Sequence, residues 1–242
     1  MTFIFDENAR KNHKRLLEFF EQNQIPEGTR ASSLTARLGT VKEAREFIAT
    51  YHYSKTMPDS TMEVCMGYYG DILAGICVFG MGAGISQYKA ILPTIEQGQY
   101  RELTRLWSPD GFPKNTESRL ISESIKLLPK KVKLLLSFAD PNQGHLGTIY
   151  QATNWDYCGM TGGGKRLVNK NGQEFHSRLV GIYRMRHPEL AGKTNAEIMK
   201  IYEWTYKQDS PKHRYVMIRT GKKETKKLRE MYKEQILKYP KA

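Results

Sequence analysis

The chain reads as an α/β (α+β) protein: a mixed central β-sheet flanked by helices, with a helical insert and a basic C-terminal helix. Three observations predict this. Apolar residues recur at helical spacing in some stretches, and alternate or run unbroken for a strand's length in others. The two patterns interleave as β–α–β–β–β–α–β–α–β from about residue 33 onward, an order that lays helices on the faces of one sheet. With 242 residues, 39% hydrophobic and 26% charged, the chain has enough apolar side chains for a core and is not a disordered polymer.

The elements follow in order. Residues 6–23 (DENARKNHKRLLEFFEQN) are expected as a helix, acidic at its start, with Leu16, Leu17, Phe19 and Phe20 as its apolar face. After IPEGTR a short strand is expected at Ser33–Leu38. Thr40 then caps the helix VKEAREFIATY, whose Val41, Ala44, Phe47, Ile48 and Tyr51 point inward. TMEVCMGYYGDILAGICVFGM reads as two strands joined at Gly70-Asp71. The glycine-rich MGAGIS and a polar stretch lead to the strand YRELTRLW. The loop SPDGFPKN ends at Asn115 or Thr116, both good N-caps for the helix ESRLISESIKLL. VKLLLSFAD is almost continuously apolar, as a strand buried on both faces should be. Another helix starts within Gly147–Asn154. KRLVNKNGQEFHSRLVGIYRM is expected as a hairpin turning at Asn171-Gly172, NAEIMKIYEWTYK as a helical insert, HRYVMIRT as a strand, and the rest as the basic helix. With no internal repeat or low-complexity linker, one domain over 1–242 is expected: a core at about 30–186, the insert at about 187–210, and a final strand and helix at 212–242.

Charge narrows the partner. Thirty-eight Lys and Arg stand against 25 Asp and Glu, a formal charge of +13, and such an excess favours a polyanion through counterion release. From Arg219 onward nine basic residues face three glutamates. The bland reading is a basic surface that serves solubility. A membrane is disfavoured: no apolar run approaches the ~20 residues that cross a bilayer, and no basic helix carries an aromatic insertion face. MTFIFDENARKNHKR lacks the charged-then-apolar order of a signal peptide. Cys65, Cys77 and Cys158 are scattered, without a CxxC or Cys/His cluster, which fits a reduced, cytoplasmic protein without structural zinc.

Candidate site residues gather between Arg101 and Gly159. Arg105 lies on ELTRLW, where alternation places it on the face of Leu103 and Trp107; a cation there needs an anionic partner or a ligand. Its structural role would be a pair with Glu102 or Asp140. Asn115, Thr116 and Ser118 sit at a helix start, where amides and the dipole favour anions, with plain capping as the alternative. Asp140 ends an apolar strand and precedes Pro141, placed to accept a proton or to cap a turn. His145 and Tyr150 follow in QGHLGTIYQATN, where two glycines permit close approach of a ligand. Tyr150 is a candidate acid, base or hydrogen-bond donor, or a half-buried aromatic. His52, Tyr53 and Ser54 form an aromatic and polar group suited to stacking on a base, or to packing on the sheet. His52, His145 and His176 have no metal-ligand spacing.

The element order resembles the GNAT acyltransferase fold. In that family a glycine-rich loop before the helix grips coenzyme A; here the loop reads FPKNTESR, with no glycine past Gly111, which argues against the standard grip. The stretch Glu102–Gly159 resembles more closely the Mom DNA-modification proteins of Mu-type phages. ELTRLW, PKNTESRLI, SFAD and GHLGTIYQATNWDYCG carry the likeness, with HYS near residue 52 and KHRYV near residue 212. The resemblance implies a GNAT-like transferase that converts the N6 amine of adenine in DNA to N6-carbamoylmethyladenine and so blocks host restriction nucleases. Carried over by motif, Arg105, Ser118, Asp140, Tyr150 and Tyr53 would be its catalytic residues, with Arg105, Asn115, Thr116 and Ser118 toward a donor or cofactor. DNA, with its adenine flipped out, is the implied partner; a homodimer stays open. The donor also stays open: acetyl-CoA, an aminoacyl-type donor or metal (iron) chemistry, the last without support from ligand spacing. The rival readings are a conventional GNAT N-acetyltransferase acting on a protein or small amine, and an inactive GNAT-like DNA-binding protein.

Overall fold

The computed structural model describes residues 7–22, 29–82 and 84–241. In chain order the elements are α1 (Glu7–Gln22), β1 (Thr35–Gly39), α2 (Val41–Tyr51), β2 (Thr61–Tyr69), β3 (Ile72–Gly80), α3 (Ile85–Lys89), β4 (Tyr100–Trp107), α4 (Thr116–Leu127), β5 (Leu134–Ala139) and α5 (Thr148–Gln151). Then come β6 (Asp156–Met160), β7 (Lys165–Val168), β8 (Glu174–His176), α6 (Leu179–Arg186), α7 (Asn195–Ile201), β9 (Thr205–Gln208), β10 (His213–Ile218) and α8 (Lys222–Glu230). The chain divides into two compact units. One comprises Met1–Ala139, Gly147–Gly159 and Arg214–Ala242; the other comprises Asp140–Leu146 and Met160–His213.

The larger unit is built on a seven-stranded sheet in the order β1-β2-β3-β4-β5-β10-β6. The pairs from β1 through β4 are antiparallel, and β4 with β5 is parallel, so the sheet is mixed as expected. Helices cover both faces. On one, α4 and Tyr150 of α5 pack with Cys65, Phe79, Leu103 and Leu135; on the other, α1 and α2 lie over Val64, Met66, Ile76, Val78 and Trp107. Thr40 begins α2 with a full capping box, its hydroxyl accepting from Glu43 N while the Glu43 carboxylate accepts from Thr40 N, an arrangement that stabilises by about 1 kcal/mol.

Some expected faces are turned. In α1 the buried residues are Ala9, Asn12 and Leu16, whereas Leu17 and Phe20 are exposed; the Phe19 side chain and the helix ends expected at 6 and 23 lie outside the described residues. A stripe at 9, 12 and 16 is the seam that fits the sheet, so the apolar cluster at 16–20 is only partly used. Val41 and Tyr51 of α2 are exposed as well, although Tyr51 stacks on Trp107 at 5.3 Å.

The smaller unit differs more from expectation. It takes in residues 160–213, wider than 187–210, and is not wholly helical: β8-β7-β9 form a three-stranded sheet. The turn at Asn171-Gly172 is present, with Asn169 Oδ1 accepting from Asn171 N and Gln173 N. The second hairpin arm is only three residues long, because Leu179–Arg186 form α6; Thr205–Gln208, expected as helix, form β9. Leu167, Val180, Leu190, Ile198 and Trp204 make its core.

The C-terminal segment is bound to the sheet's edge. Arg229 and Tyr232 both bond to Asp156 of β6, Leu237 N donates to Tyr157 O at 2.9 Å, and Tyr239 Oη donates to Trp155 O at 2.8 Å. Arg219 donates to the carbonyls of Leu128, Pro129 and Val132.

Burial sets an alkaline limit on stability. It pushes the Cys65 thiol up from 9.0 to about 12 and the Cys158 thiol to about 11, and raises the Tyr88, Tyr150 and Tyr232 phenols above 10.0. The unfolded chain releases these protons at the ordinary values while the folded chain keeps them. Their contribution is therefore whole below about pH 9 and is lost as pH climbs toward 11 and beyond. Urea midpoints should fall between about pH 9 and pH 11; a midpoint that holds or rises there would contradict this.

Candidate active site at the parting of two parallel strands

β4 and β5 pair only from Tyr100 opposite Leu134 to Leu103 opposite Ser137. On the other side of β4 the register with β3 slips: Phe79 opposes Leu103 and Val78 opposes Arg105, leaving Thr104 as the extra residue of a β-bulge. Thr104 Oγ1 holds the bulge by donating to Val78 O at 3.0 Å. A bulge bends its strand, and past it no further pair joins β4 to β5 among the described residues. The two parallel strands part there, at the end of the sheet where β4 finishes and α4 begins.

The bulge also corrects the expected face of Arg105. Strict alternation would place it with Leu103 and Trp107. The extra residue separates them: Leu103 packs with Phe79 on the α4 face, while Arg105, opposite Val78, shares the other face with Trp107. Arg105 donates from Nε to Thr56 O at 3.0 Å, from one terminal nitrogen to Thr56 Oγ1 at 3.3 Å, and from the other to Thr104 O at 2.7 Å. Burial lowers its pKa, countered by the nearby Tyr53 and Glu102. The fully buried cation of this strand is instead Arg101, bonded by two nitrogens to Glu63 at 2.7 and 2.8 Å.

Thr56 belongs to the loop that follows α2, so Arg105 ties that loop to β4. The loop carries Tyr53, 52% exposed, its ring 4.3 Å from that of His52. His52 is buried, and its Nδ1 accepts from Ser54 N at 3.1 Å. Tyr53 acts electrostatically on both Arg105 and Tyr150, as does Glu102. Arg105 and Tyr150 nevertheless lie on opposite faces of β4, and each is held by its own partners, Thr56 and Ser137.

Tyr150 is buried on α5, its Oη 2.8 Å from Ser137 Oγ, which itself lies 2.9 Å from Leu103 O. A carbonyl can only accept, so the Ser137 proton goes to Leu103 O and the phenol donates to Ser137 Oγ. Burial raises the Tyr150 pKa, which keeps the phenol neutral. This pair of hydroxyls sits where the two strands part. Gly147, just before α5, has φ +79°, and a Cβ there would come within 2.3 Å of the Tyr215 ring. The close approach expected of the glycines is thus made at Gly147 to Tyr215, while Gly144 faces open space.

At the start of α4, Asn115 is left-handed (φ 72°) and makes no side-chain cap. Thr116 is buried: its N and Oγ1 both donate to Pro113 O, and Oγ1 also meets Tyr69 Oη at 2.7 Å. Thr116 therefore closes the turn with both its donors. Ser118 Oγ donates to Asn115 O at 3.0 Å. The first-turn amides of a helix have no intrahelical acceptor, so Glu117 and Ser118 carry the anion-facing character of this end.

Asp140 belongs to the smaller unit. Oδ1 accepts from Asn142 N at 3.0 Å, the capping role of an Asp before Pro, and Oδ2 lies 3.4 Å from Lys212 Nζ. A carboxylate offers about four lone-pair sites, so acceptor capacity remains. His145 is exposed, with its N donating to Asp140 O at 3.2 Å. Among the described residues no three of His, Cys, Asp or Glu group as a metal site; the His176 side chain lies outside them.

Lys212, Ser137 and Glu102 escaped the sequence reading. Lys212 opens KHRYV, a motif recognised without a role. Ser137 is the one hydroxyl in the strand LLLSFA, and a buried hydroxyl implies a partner. Glu102 drew notice only as a counter-ion.

Residues 33–241 match the Mom protein family. Over 119 residues the chain is 34% identical to the methylcarbamoylase mom of Escherichia phage Mu, covering 48% of this chain and 49% of that protein; it thus spans about half the length of that relative. Among solved structures, an aminoglycoside acetyltransferase, AAC(6')-Ib, in complex with coenzyme A and kanamycin is similar at a TM-score of 0.46 and 11% identity, over 80% of this chain and 99% of that one. A GNAT family acetyltransferase from Elizabethkingia anophelis with acetyl-CoA bound is similar at 0.38 and 12%, over 77% and 99%.

Proposed function

We propose that this chain, which belongs to the Mom protein family, is a transferase that modifies the N6 amine of adenine in DNA to N6-carbamoylmethyladenine. The observation that carries the proposal is the family match over residues 33–241, supported by Arg105 just past the bulge and the Tyr150–Ser137 pair where β4 and β5 part.

The adenine amine is conjugated with its ring and is a poor nucleophile. In the product, N6 bears a methylene carbon, so a C–N bond forms at that carbon, a leaving group departs from it, and N6 loses a proton. The reaction is an alkylation of nitrogen, not the acyl transfer of an acetyltransferase. In a duplex the amine is also tied up in a base pair, which calls for the adenine to be flipped out.

Each residue then has a task. Tyr53, exposed and tilted against the His52 ring, offers a face to the base. Arg105 holds the Tyr53 loop through Thr56 and places positive charge beside the reacting groups. Tyr150, kept neutral by burial, does not remove a proton; its hydroxyl is held by Ser137 Oγ, which fixes α5 beside the end of β5. The proton from N6 falls to the Asp140 carboxylate. The first turn of α4 at Ser118 stabilises charge on the donor as it develops. Lys222, Lys223, Lys226 and Lys227 of α8 are exposed and have no ion-pair partner among the described residues; they suit DNA phosphates without reading sequence.

Expression of the chain in a bacterium, followed by mass spectrometry of the digested genomic DNA, should reveal the carbamoylmethyl nucleoside. DNA with ordinary adenine alone, from cells making folded protein, would refute the proposal; an N6-acetyl product would replace it with acyl transfer. Among the described residues no helix is long and apolar enough to cross a membrane.

A further inference from the structure

α1 carries Asn8, Lys11, Asn12 and Arg15 at i, i+3, i+4 and i+7, the spacing of one helical face. On a helix lying against a sheet such a face is ordinarily apolar. Here the four side chains line a cavity of about 360 Å³ whose other wall is β1 and the β2–β3 turn.

Donors dominate it. Asn12, 6% exposed, gives an Nδ2 proton to Tyr68 Oη at 3.3 Å, and Arg37 gives another to the same oxygen at 2.6 Å. The phenol's own proton meets only the Met66 thioether at 3.9 Å, a weak acceptor. Arg37 also lies 3.2 Å from Glu43, and Arg15 is 3.2 Å from Asp71 at the cavity mouth, whose side chain is 80% exposed. Lys11 has no ion-pair partner among the described residues. Three cations and four neutral donors (Asn8, Asn12, Thr35 and Tyr68) thus face a single lining carboxylate, Asp71, while Glu43, outside the lining, is paired with Arg37. The matching ligand is an anion with several acceptor oxygens, and the volume lies in the ~300–1,000 Å³ range of small-molecule sites, room for more than a lone phosphate.

We propose that this cavity holds the phosphate of a nucleotide, with Lys11, Arg15 and Arg37 on the phosphate oxygens, as a site apart from the strand parting that carries Tyr150 and Ser137. β1 is the sheet's edge strand, and β2 and β3 separate it from β4, which puts the cavity roughly 17 Å from the strand parting at ~4.8 Å per strand. The β2–β3 turn lies at the sheet end where β4 finishes. A DNA strand crossing that end would bring a flanking nucleotide to the cavity about five B-form steps from the modified adenine. The same chemistry is met by a free nucleotide. The DNA form rests on the proposed function; the free form does not.

The test uses the full chain and two probes: fluorescence anisotropy with a labelled single strand of about 12 nucleotides, long enough for the ~3.4 Å steps of the five-nucleotide span, and calorimetric titration with AMP. Lys11→Ala/Arg15→Ala changes two cavity residues; Arg10→Ala/Lys14→Ala removes the same charge from the same helix outside the cavity. In the DNA form the cavity variant weakens oligonucleotide binding about tenfold and lowers its salt slope by about 0.7, one phosphate contact, while the control shifts affinity by no more than about twofold. In the free form, AMP binds the wild type and not the cavity variant, and the oligonucleotide responds equally to both variants. Asp71→Ala removes the carboxylate that competes for Arg15 and should tighten the bound probe about threefold, a direction that misfolding cannot produce. Equal effects of cavity and control variants on both probes would overturn the assignment, as would probes indifferent to Asp71. If cavity-dependent oligonucleotide binding holds while no modified adenine is ever found, the pocket stands and the proposed reaction falls.

Discussion

Replacing Asp140 by alanine should abolish modified adenine in the DNA of cells expressing the chain, while DNA binding stays at wild-type strength. A positioned general base contributes roughly 10²–10⁴-fold, enough to drop the modified nucleoside below detection, and the proposal gives no second carboxylate that task. Binding should survive because the change removes one negative charge from a chain of formal charge +13; attraction to phosphate does not weaken. The alanine also removes the acceptor of Asn142 N and leaves Lys212 without its carboxylate, so the turn itself could move. Asp140→Asn separates the two effects: the amide oxygen still accepts from Asn142 N, but the base is gone. It should be as inactive as the alanine. Normal levels of modified adenine in the asparagine variant would remove Asp140 from the chemistry and leave it a turn residue.

Glu63→Ala should cost about 3–5 kcal/mol of folding stability, the penalty for leaving a buried charge without its partner. Arg101 is 2% exposed and Glu63 12%, their bond is two-pronged, and it spans β3 to join β2 to β4. The carbonyls of Tyr100 and Gly98 would still bind the guanidinium, but they carry no charge to balance it. A urea titration measures the loss; less than about 1 kcal/mol would mean that water reaches Arg101. Replacing both partners together by apolar residues of similar volume should restore most of the stability, because two desolvated charges leave at once.

The elements readable from sequence were those whose pattern is set by one neighbour. α2 shows its cap and period, the β2–β3 hairpin its turn, and β5 an unbroken apolar run; each is found where expected. What escaped depends on distant partners. β9 lies in NAEIMKIYEWTYK, where Ile198 and Trp204 suit a helix face, yet Thr205–Gln208 pair with β7, some forty residues earlier in the chain. α6 was hidden in LVGIYRM, which alternates well enough for a strand but buries only Val180. β6 is a short edge strand with no periodicity of its own. The site shows the same divide. Tyr53, Arg105 and Tyr150 can be named as candidates from residue type and place. The bulge at Thr104 was not, because nothing in ELTRLW marks where β3 slips a residue, and that slip decides which face Arg105 joins. Ser137 carries its meaning only once Tyr150 stands beside it.

The way the last residues lie along β6 bears on how the basic tail can be studied. β6 is one of the two outer strands of the seven-stranded sheet, and an uncovered outer strand is a template for pairing with other chains. Leu237 N and the Tyr239 hydroxyl take carbonyls along that border, and Arg229 with Tyr232 anchors its first residue. Cutting the tail away to remove its positive charge would therefore bare a sticky seam, and lost DNA binding in such a protein would report aggregation as readily as electrostatics. Lysine-to-glutamine changes at 222, 223, 226 and 227 leave the seam sealed and ask the question cleanly.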